Sequence, residues 1–119
     1  MKLDNLENTR TQMRRGVLEL CILSIISEAG EVYPPDIKDR LADSRIVVVE
    51  GTLYPLLTRL KNADLLAYSW RESTQGPPRK YYTLTEAGKL FLDGLLETWH
   101  ELVDAVNLAT KQNNLLNNE

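Results

Sequence analysis

Between residues 50 and 66 the chain reads Glu-Gly-Thr-Leu-Tyr-Pro-Leu-Leu-Thr-Arg-Leu-Lys-Asn-Ala-Asp-Leu-Leu, and Leu53, Leu56, Leu57 and Leu60 fall at i, i+3, i+4 and i+7. That spacing lines up one face of an α-helix and makes it a core face. The opposite side carries Gly51, Thr52, Pro55, Thr58, Arg59 and Asn62, with Tyr54 on the flank, so it is small, polar and basic. Pro55 has no N–H to donate and is tolerated best near a helix start, which predicts a helix beginning between Glu50 and Thr52. Its first turn then offers free backbone N–H groups and a partial positive charge, both suited to an anionic oxygen. An ordinary surface helix has the same two-sided pattern, so this segment by itself leaves both readings open.

The segments on either side narrow the choice. Residues 1–9 are polar and are expected to be flexible. Thr9-Arg10-Thr11-Gln12 fits the capping-box pattern, which predicts a helix from Arg10 to Ala29 closed by Gly30. Met13, Val17, Leu18, Leu20, Cys21, Ile22, Leu23, Ile25 and Ile26 cover far more than one stripe of that helix. A helix apolar nearly all round is buried on more than one side, and a small domain has few elements to cover it, which points to a second subunit. Gly16 lowers helix propensity and reads either as permitting close approach by another element or as a tolerated weak spot. Cys21 reads as a buried structural thiol, since no Lys, Arg or His neighbours it in sequence.

Glu31 to Tyr33 reads as a short link, and Pro34-Pro35 opens a helix to Ala42. Ile46-Val47-Val48-Val49 has strand-like content, yet its place before the central helix makes it a turn with Ile46 and Val48 directed into the core. A short amphipathic helix entered from such a turn, after another helix, fits the second element of a helix-turn-helix.

From Leu65 to Glu72 the residues alternate, with Leu66, Tyr68 and Trp70 on one side, which predicts a half-buried strand. Ser73 to Pro78 carries turn chemistry, and Arg79 to Thr85 resumes extended structure. The resulting hairpin has Arg71, Arg79 and Lys80 near its tip. A basic hairpin after a helix-turn-helix is a wing, able to reach DNA backbone or the minor groove, although a charged hairpin alone is often only solvated. Thr85 is placed to cap a last helix from Glu86 to Lys111, in which Leu92, Leu95, Trp99, Leu102, Val106 and Ala109 are spaced 3, 4, 3, 4 and 3 as in a coiled-coil seam. Such a seam on a long terminal helix points to dimerisation with a twofold-related copy. Residues 112–119 are Asn-rich and are expected to be disordered.

The chain has 119 residues and one Cys, enough for a single modest core, with no internal disulfide and no cysteine-based metal cluster. Cysteine usage fits a reducing interior such as the cytoplasm, and neither a membrane-spanning run nor a signal-peptide layout is present in the sequence. The net charge of −3 is unevenly placed. Residues 1–80 hold 12 basic and 11 acidic groups, a net of +1, whereas residues 81–119 hold 2 and 6, a net of −4. A local basic surface is therefore compatible with an acidic protein. No metal-ligand spacing, Gly-rich phosphate loop or nucleophile beside a base is found, so an enzyme is not expected and no cofactor is assigned.

Glu50-Gly51-Thr52-Leu53-Tyr54-Pro55-Leu56-Leu57, followed by Arg59-Leu60 and by Gly76-Pro77-Pro78-Arg79-Lys80-Tyr81-Tyr82-Thr83-Leu84-Thr85-Glu86-Ala87-Gly88, resembles the PadR family of bacterial transcriptional regulators. Met13-Arg14-Arg15-Gly16-Val17-Leu18-Glu19-Leu20 resembles the family's opening helix, and the single terminal helix resembles its shorter subfamily. Two departures stand out: Pro34-Pro35 where the family commonly has Gly and an aromatic, and Val49 where a Ser or Thr often caps the central helix. The resemblance, over about residues 12–95, implies a winged helix-turn-helix whose last helix dimerises; joined to the reading of the residues this gives a mainly α fold with a small β-hairpin, with flexible residues 1–9, a winged helix-turn-helix DNA-binding domain over 10–85, a dimerisation helix over 86–111 and a disordered tail over 112–119. It implies a homodimer on double-stranded, pseudo-palindromic operator DNA, usually a repressor, often released by a phenolic acid or a flat hydrophobic compound.

Within that implied function, Gly51, Thr52, Tyr54 and Pro55 are expected to enter the major groove, and Arg59, Arg79 and Lys80 to neutralise phosphates. Leu92, Leu95, Trp99, Leu102 and Val106 form the expected dimer seam. Trp99 reads either as dimer core or as the platform for a small aromatic effector, with Met13, Val17 and Val103 as apolar lining. His100 is expected to face solvent. A competing function is a protein-interaction module that keeps the winged fold without binding DNA.

Overall fold

A computed structural model describes residues 3–111. Its elements run in the order α1 (Leu3–Ala29), α2 (Pro34–Asp43), α3 (Glu50–Asn62), β1 (Leu66–Ser73), β2 (Gly76–Leu84) and α4 (Glu86–Ala109). The α1 helix packs on α2, β2 and α4, and α3 packs on β1. Ile22, Leu23, Ile26, Ile37, Leu41, Leu53, Leu57 and Leu60 are fully buried at the centre. The mainly helical chain with one antiparallel hairpin is therefore as the sequence implies. The expected disorder of residues 112–119 lies outside the described residues.

Several local expectations are corrected. The first helix begins at Leu3, so the stretch expected to be flexible before Arg10 is helical from its third residue. Thr9 and Thr11 sit within the helix, where their hydroxyls donate to the carbonyls of Asn5 and Glu7, both at 3.0 Å. A threonine bonded back to the preceding turn cannot cap its own start, so the capping box does not form. Gly16 has open space where a Cβ would stand, so no element among the described residues makes a close approach there. Cys21 is half-buried.

Neither α2 nor α3 carries a side-chain cap at its start. At α2, Pro34 and Pro35 occupy the first positions and remove two of the N–H groups that would need a partner. Both helices close in the same way. Ile46 N–H donates to Leu41 O and Arg45 N–H to Ala42 O after α2, as Leu65 N–H donates to Leu60 O and Asp64 N–H to Lys61 O after α3. These paired bonds are Schellman closures, with Arg45 at φ 67° and Asp64 at φ 63° where glycine is usual. Each closure folds an apolar residue back onto the core, which keeps Ile46 to Val49 out of any strand and buries Val48.

The hairpin turns through two residues, Thr74 and Gln75, and β2 starts at Gly76, three residues earlier than expected. Gly76 adopts φ 153°, a conformation that side chains disfavour. Leu66 is buried, but β1 is otherwise exposed up to Glu72, so the half-buried strand holds only at its base. The expected link at Glu31–Tyr33 is a third sheet position: Val32 exchanges backbone hydrogen bonds with Tyr82 at 3.0 and 2.8 Å.

The start of α4 is anchored beneath α3. Thr85 Oγ1 accepts from Gly88 N–H at 2.9 Å and donates to Asp64 O at 2.6 Å, while Thr85 N–H donates to Leu65 O at 3.2 Å. Gly88 lies so close to the Leu65 carbonyl that an added Cβ would overlap it. Gly88→Ala is expected to destabilise the fold by about 2 kcal/mol and lower the melting temperature by roughly 8 °C. Urea and thermal unfolding check this, with Gly94→Ala, where the space is open, as the control that stays within about 1 kcal/mol of wild type.

Candidate nucleic-acid interface

Three leucines decide which side of α3 is free. Leu53, Leu57 and Leu60 are at most 1 % exposed, and with them inside, Gly51, Thr52, Tyr54, Pro55 and Thr58 face outward. Among the described residues nothing comes within 4 Å of the position a Gly51 Cβ would occupy. The missing side chain is thus unexplained by internal packing, and it leaves the helix backbone open to a surface from outside. Val49 precedes the helix in extended conformation without a side-chain cap, so the positive end of the helix dipole also faces outward. The Tyr54 phenol is pushed above its usual range by burial, then by the nearby Glu50 carboxylate and Tyr33. It stays protonated at neutral pH, as a hydrogen-bond donor.

The wing has two chemically different faces. On one, Arg71 pairs directly across the hairpin from Arg79, a like-charge pairing that is unfavourable alone. It is compensated locally. Arg71 forms an ion pair with Glu31 and lies 4.7 Å from the Tyr81 ring centroid, while Arg79 lies 4.8 Å from the Tyr33 ring. Tyr33 and Tyr81 stack at 5.7 Å, completing a layered cluster of two guanidinium groups and two phenols.

On the other face, Lys80 pairs across from Trp70 and Tyr82 from Tyr68. The Lys80 ammonium lies 4.3 Å from the Tyr68 ring centroid, and the Lys61 ammonium, from the end of α3, lies 5.6 Å from the same ring. Helix and wing therefore meet over Tyr68. Arg59 is directed toward α1, where it pairs with Glu19 at 3.3 Å.

The structure thus gathers Gly51, Thr52, Tyr54 and Pro55 on one outward surface, and it gives Arg59 and Arg79 partners within the protein. Sequence reasoning missed Tyr33, Glu31, Lys61 and Tyr68. The alternation of Glu31, Val32 and Tyr33 was the available signal for the first two, since period two across an apolar residue is a strand pattern. Cys21, with its thiol pushed up by burial, has the opposite of what a nucleophile requires. His100 is exposed. No group of three potential metal ligands occurs among the described residues, and no described helix is long and apolar enough to cross a membrane.

Along α4 the expected seam divides. Leu92 is buried in its own subunit and Leu95 packs half-buried on the same core, because the first half of the helix lies on α1 and β2. Leu92 is therefore corrected from seam to internal core. Trp99, Leu102 and Val106 remain 38 %, 53 % and 49 % exposed. Of the expected effector lining, Val17 and Val103 are half-buried while Met13 and Trp99 are exposed.

Comparison with known proteins agrees with this architecture. A PadR-like transcription factor from Bacteroides fragilis shares 55 % identity, with 86 % of this chain and 98 % of that chain covered and a TM-score of 0.74. A PadR family transcriptional regulator from Eggerthella lenta shares 35 % identity, covering 89 % and 92 %, at a TM-score of 0.79. PadR of Bacillus subtilis, solved in complex with operator DNA, shares 25 % identity over 67 % of this chain and 45 % of its own, at a TM-score of 0.62. The model of the transcriptional regulator PadR-like family matches residues 22–94, from the core of α1 through α3 and the wing into α4; this chain belongs to that family.

Proposed function

We propose that this protein is a homodimeric, sequence-specific DNA-binding repressor, released from its operator by a small aromatic or hydrophobic effector held near the dimer interface. The observation that carries the reading is the outward surface of α3, where Gly51, Thr52, Tyr54 and Pro55 are exposed beside a wing bearing Lys80. The related Bacillus subtilis PadR in complex with operator DNA supports it. In this reading α3 enters the major groove. Gly51 permits close approach, Thr52 bonds a base edge or phosphate, Tyr54 donates its phenolic proton to a phosphate, and Pro55 meets a thymine methyl. Lys80 neutralises a phosphate, and Arg59 and Arg79 do so from positions held by Glu19 and Tyr33.

Selection of bound fragments from genomic DNA supplies the operator, and titrations across a salt series test the assignment. Lys80→Ala should weaken binding to every sequence alike and reduce the slope of log affinity against log salt by about one unit. Thr52→Val should relax preference at one base position, with a cost of roughly 1 kcal/mol. Unchanged operator affinity in a folded Tyr54→Ala, Lys80→Ala double variant rejects this surface.

Dimerisation is supported by the exposed part of the α4 seam, where Trp99, Leu102 and Val106 are poorly covered by their own subunit. Leu102→Arg should leave the subunit folded, because the site is exposed, while sedimentation at micromolar concentration shifts from dimer to monomer. A monomeric wild-type protein under the same conditions refutes the dimer.

Trp99 on this seam is the proposed effector platform, with Met13, Val17 and Val103 alongside. Planar aromatic compounds should quench a fluorescence component absent from Trp99→Phe, and bound compound should weaken operator affinity by the factor by which operator weakens compound binding. A panel of such compounds that leaves both signals unmoved counts against an effector of this class.

A further inference from the structure

Trp70 is 61 % exposed on β1; Tyr68 and Lys80 touch it, yet most of this large apolar side chain stays in water. Its surroundings are cationic. Lys80, its partner across the hairpin, holds its ammonium 5.2 Å from the Trp70 ring and 4.3 Å from the Tyr68 ring. Tyr68 meets Trp70 edge to face at 6.1 Å and also carries the Lys61 ammonium at 5.6 Å. One aromatic pair thus gathers a lysine from the recognition helix and a lysine from the wing. Glu72, two positions nearer the tip, is the closest acidic residue along the strand. The other hairpin face differs in that one of its two arginines, Arg71, is already paired with a carboxylate, that of Glu31.

Two ammonium groups gathered at one ring raise the local positive potential, which favours a polyanion alongside. The indole adds an apolar body that suits a deoxyribose and an Nε1–H that suits a phosphate oxygen. Apolar sugar alternating with phosphate is the repeat of a nucleic acid backbone, and the patch is continuous with the outward surface of α3 through Lys61. We propose that Trp70 packs against the sugar–phosphate backbone of duplex DNA while Lys80 and Lys61 reach neighbouring phosphates. Tyr68 is the positioning residue that holds both lysines. The inference rests on the DNA-binding reading above and adds a contact that carries no charge.

Sheared duplex DNA of mixed sequence is the probe. Trp70→Ala lowers affinity about tenfold, the order expected when roughly 60 Å² of apolar surface stays wet, and Trp70→Phe recovers most of the loss. The salt slope stays that of the wild type because no charge is removed, which separates this effect from that of Lys80→Ala. In the intact protein labelled with 5-fluorotryptophan, the two tryptophans give two fluorine resonances, and the one missing from Trp70→Phe shifts as DNA is added. Wild-type affinity in Trp70→Ala at every salt concentration, or a Trp70 resonance that does not move, overturns the contact. A wild-type protein that does not bind duplex DNA removes the DNA-binding reading and this inference together.

Discussion

The rotation of α3 about its own axis is the constraint on which the candidate interface depends. Successive helical residues differ by about 100° around the axis, so pinning Leu53, Leu57 and Leu60 inward settles where every other side chain points. Each buried leucine contributes on the order of 2 kcal/mol, and a one-residue rotation would forfeit most of that while bringing polar groups inside. The ends of the helix reinforce the choice. Val48 is buried just before it, and Leu65 folds back on Leu60 just after it. The outward Gly51–Thr52–Tyr54–Pro55 surface is thus a consequence of the core, obtained without any side chain on that surface contributing to it.

The same turn after α3 fixes the wing and α4. Leu65 accepts from Thr85 N–H, Asp64 accepts from the Thr85 hydroxyl, and Gly88 rests on the Leu65 carbonyl. Three elements therefore share one backbone junction, which ties the start of α4 to the end of α3. The wing itself is braced from both sides. Val32 adds a backbone rung and Tyr33 and Glu31 engage the two arginines of one face, while Tyr68 carries lysines on the other. A two-stranded hairpin is marginal alone, and these contacts make a hairpin with an exposed tip a defined part of the fold.

What could be read from the sequence follows the range of the physics involved. Periodicity over a full helix is a local signal, so α3, α2 and the Thr85 cap stand within a residue or two of their expected places. The Schellman closures were hidden because arginine and aspartate hold positions where glycine is the usual marker, and left-handed geometry there is imposed by Ile46 and Leu65 finding the core. Val32 pairs with Tyr82 across 50 positions of chain, and no pattern within Glu31–Tyr33 names its partner. The leucine heptad in α4 gave spacing but not ownership: Leu92 and Leu102 obey one periodicity, yet the first belongs to this subunit's core and the second is exposed. The same gap affects the site. Composition identifies Arg59 and Arg79 as cations, but only the fold shows that Glu19 and Tyr33 already engage them.

The distal halves of α1 and α4 extend beyond the core they start from. At 27 and 24 residues they reach roughly 40 and 36 Å, in a molecule whose extents are 58 × 33 × 25 Å. Residues 4–16 are exposed throughout, and beyond Leu96 the described part of α4 is exposed except at Val103. Helical segments of this length gain little from propensity alone in water, so a covering partner would contribute a large part of their stability. The exposed half of α4 carries Trp99, Leu102 and Val106 among Glu97, Glu101 and Asp104, and the exposed half of α1 carries Asp4 and Glu7 as well as Arg10, Arg14 and Arg15; Arg10 pairs with Glu7, and Arg14 and Arg15 are of the sign that suits the acidic half of a second copy's α4. In the proposed dimer, the contact that covers these halves is also the contact that sets the distance between two α3 helices. Stability of the pair and spacing on DNA then become one property, and a ligand seated at Trp99 acts on both at once.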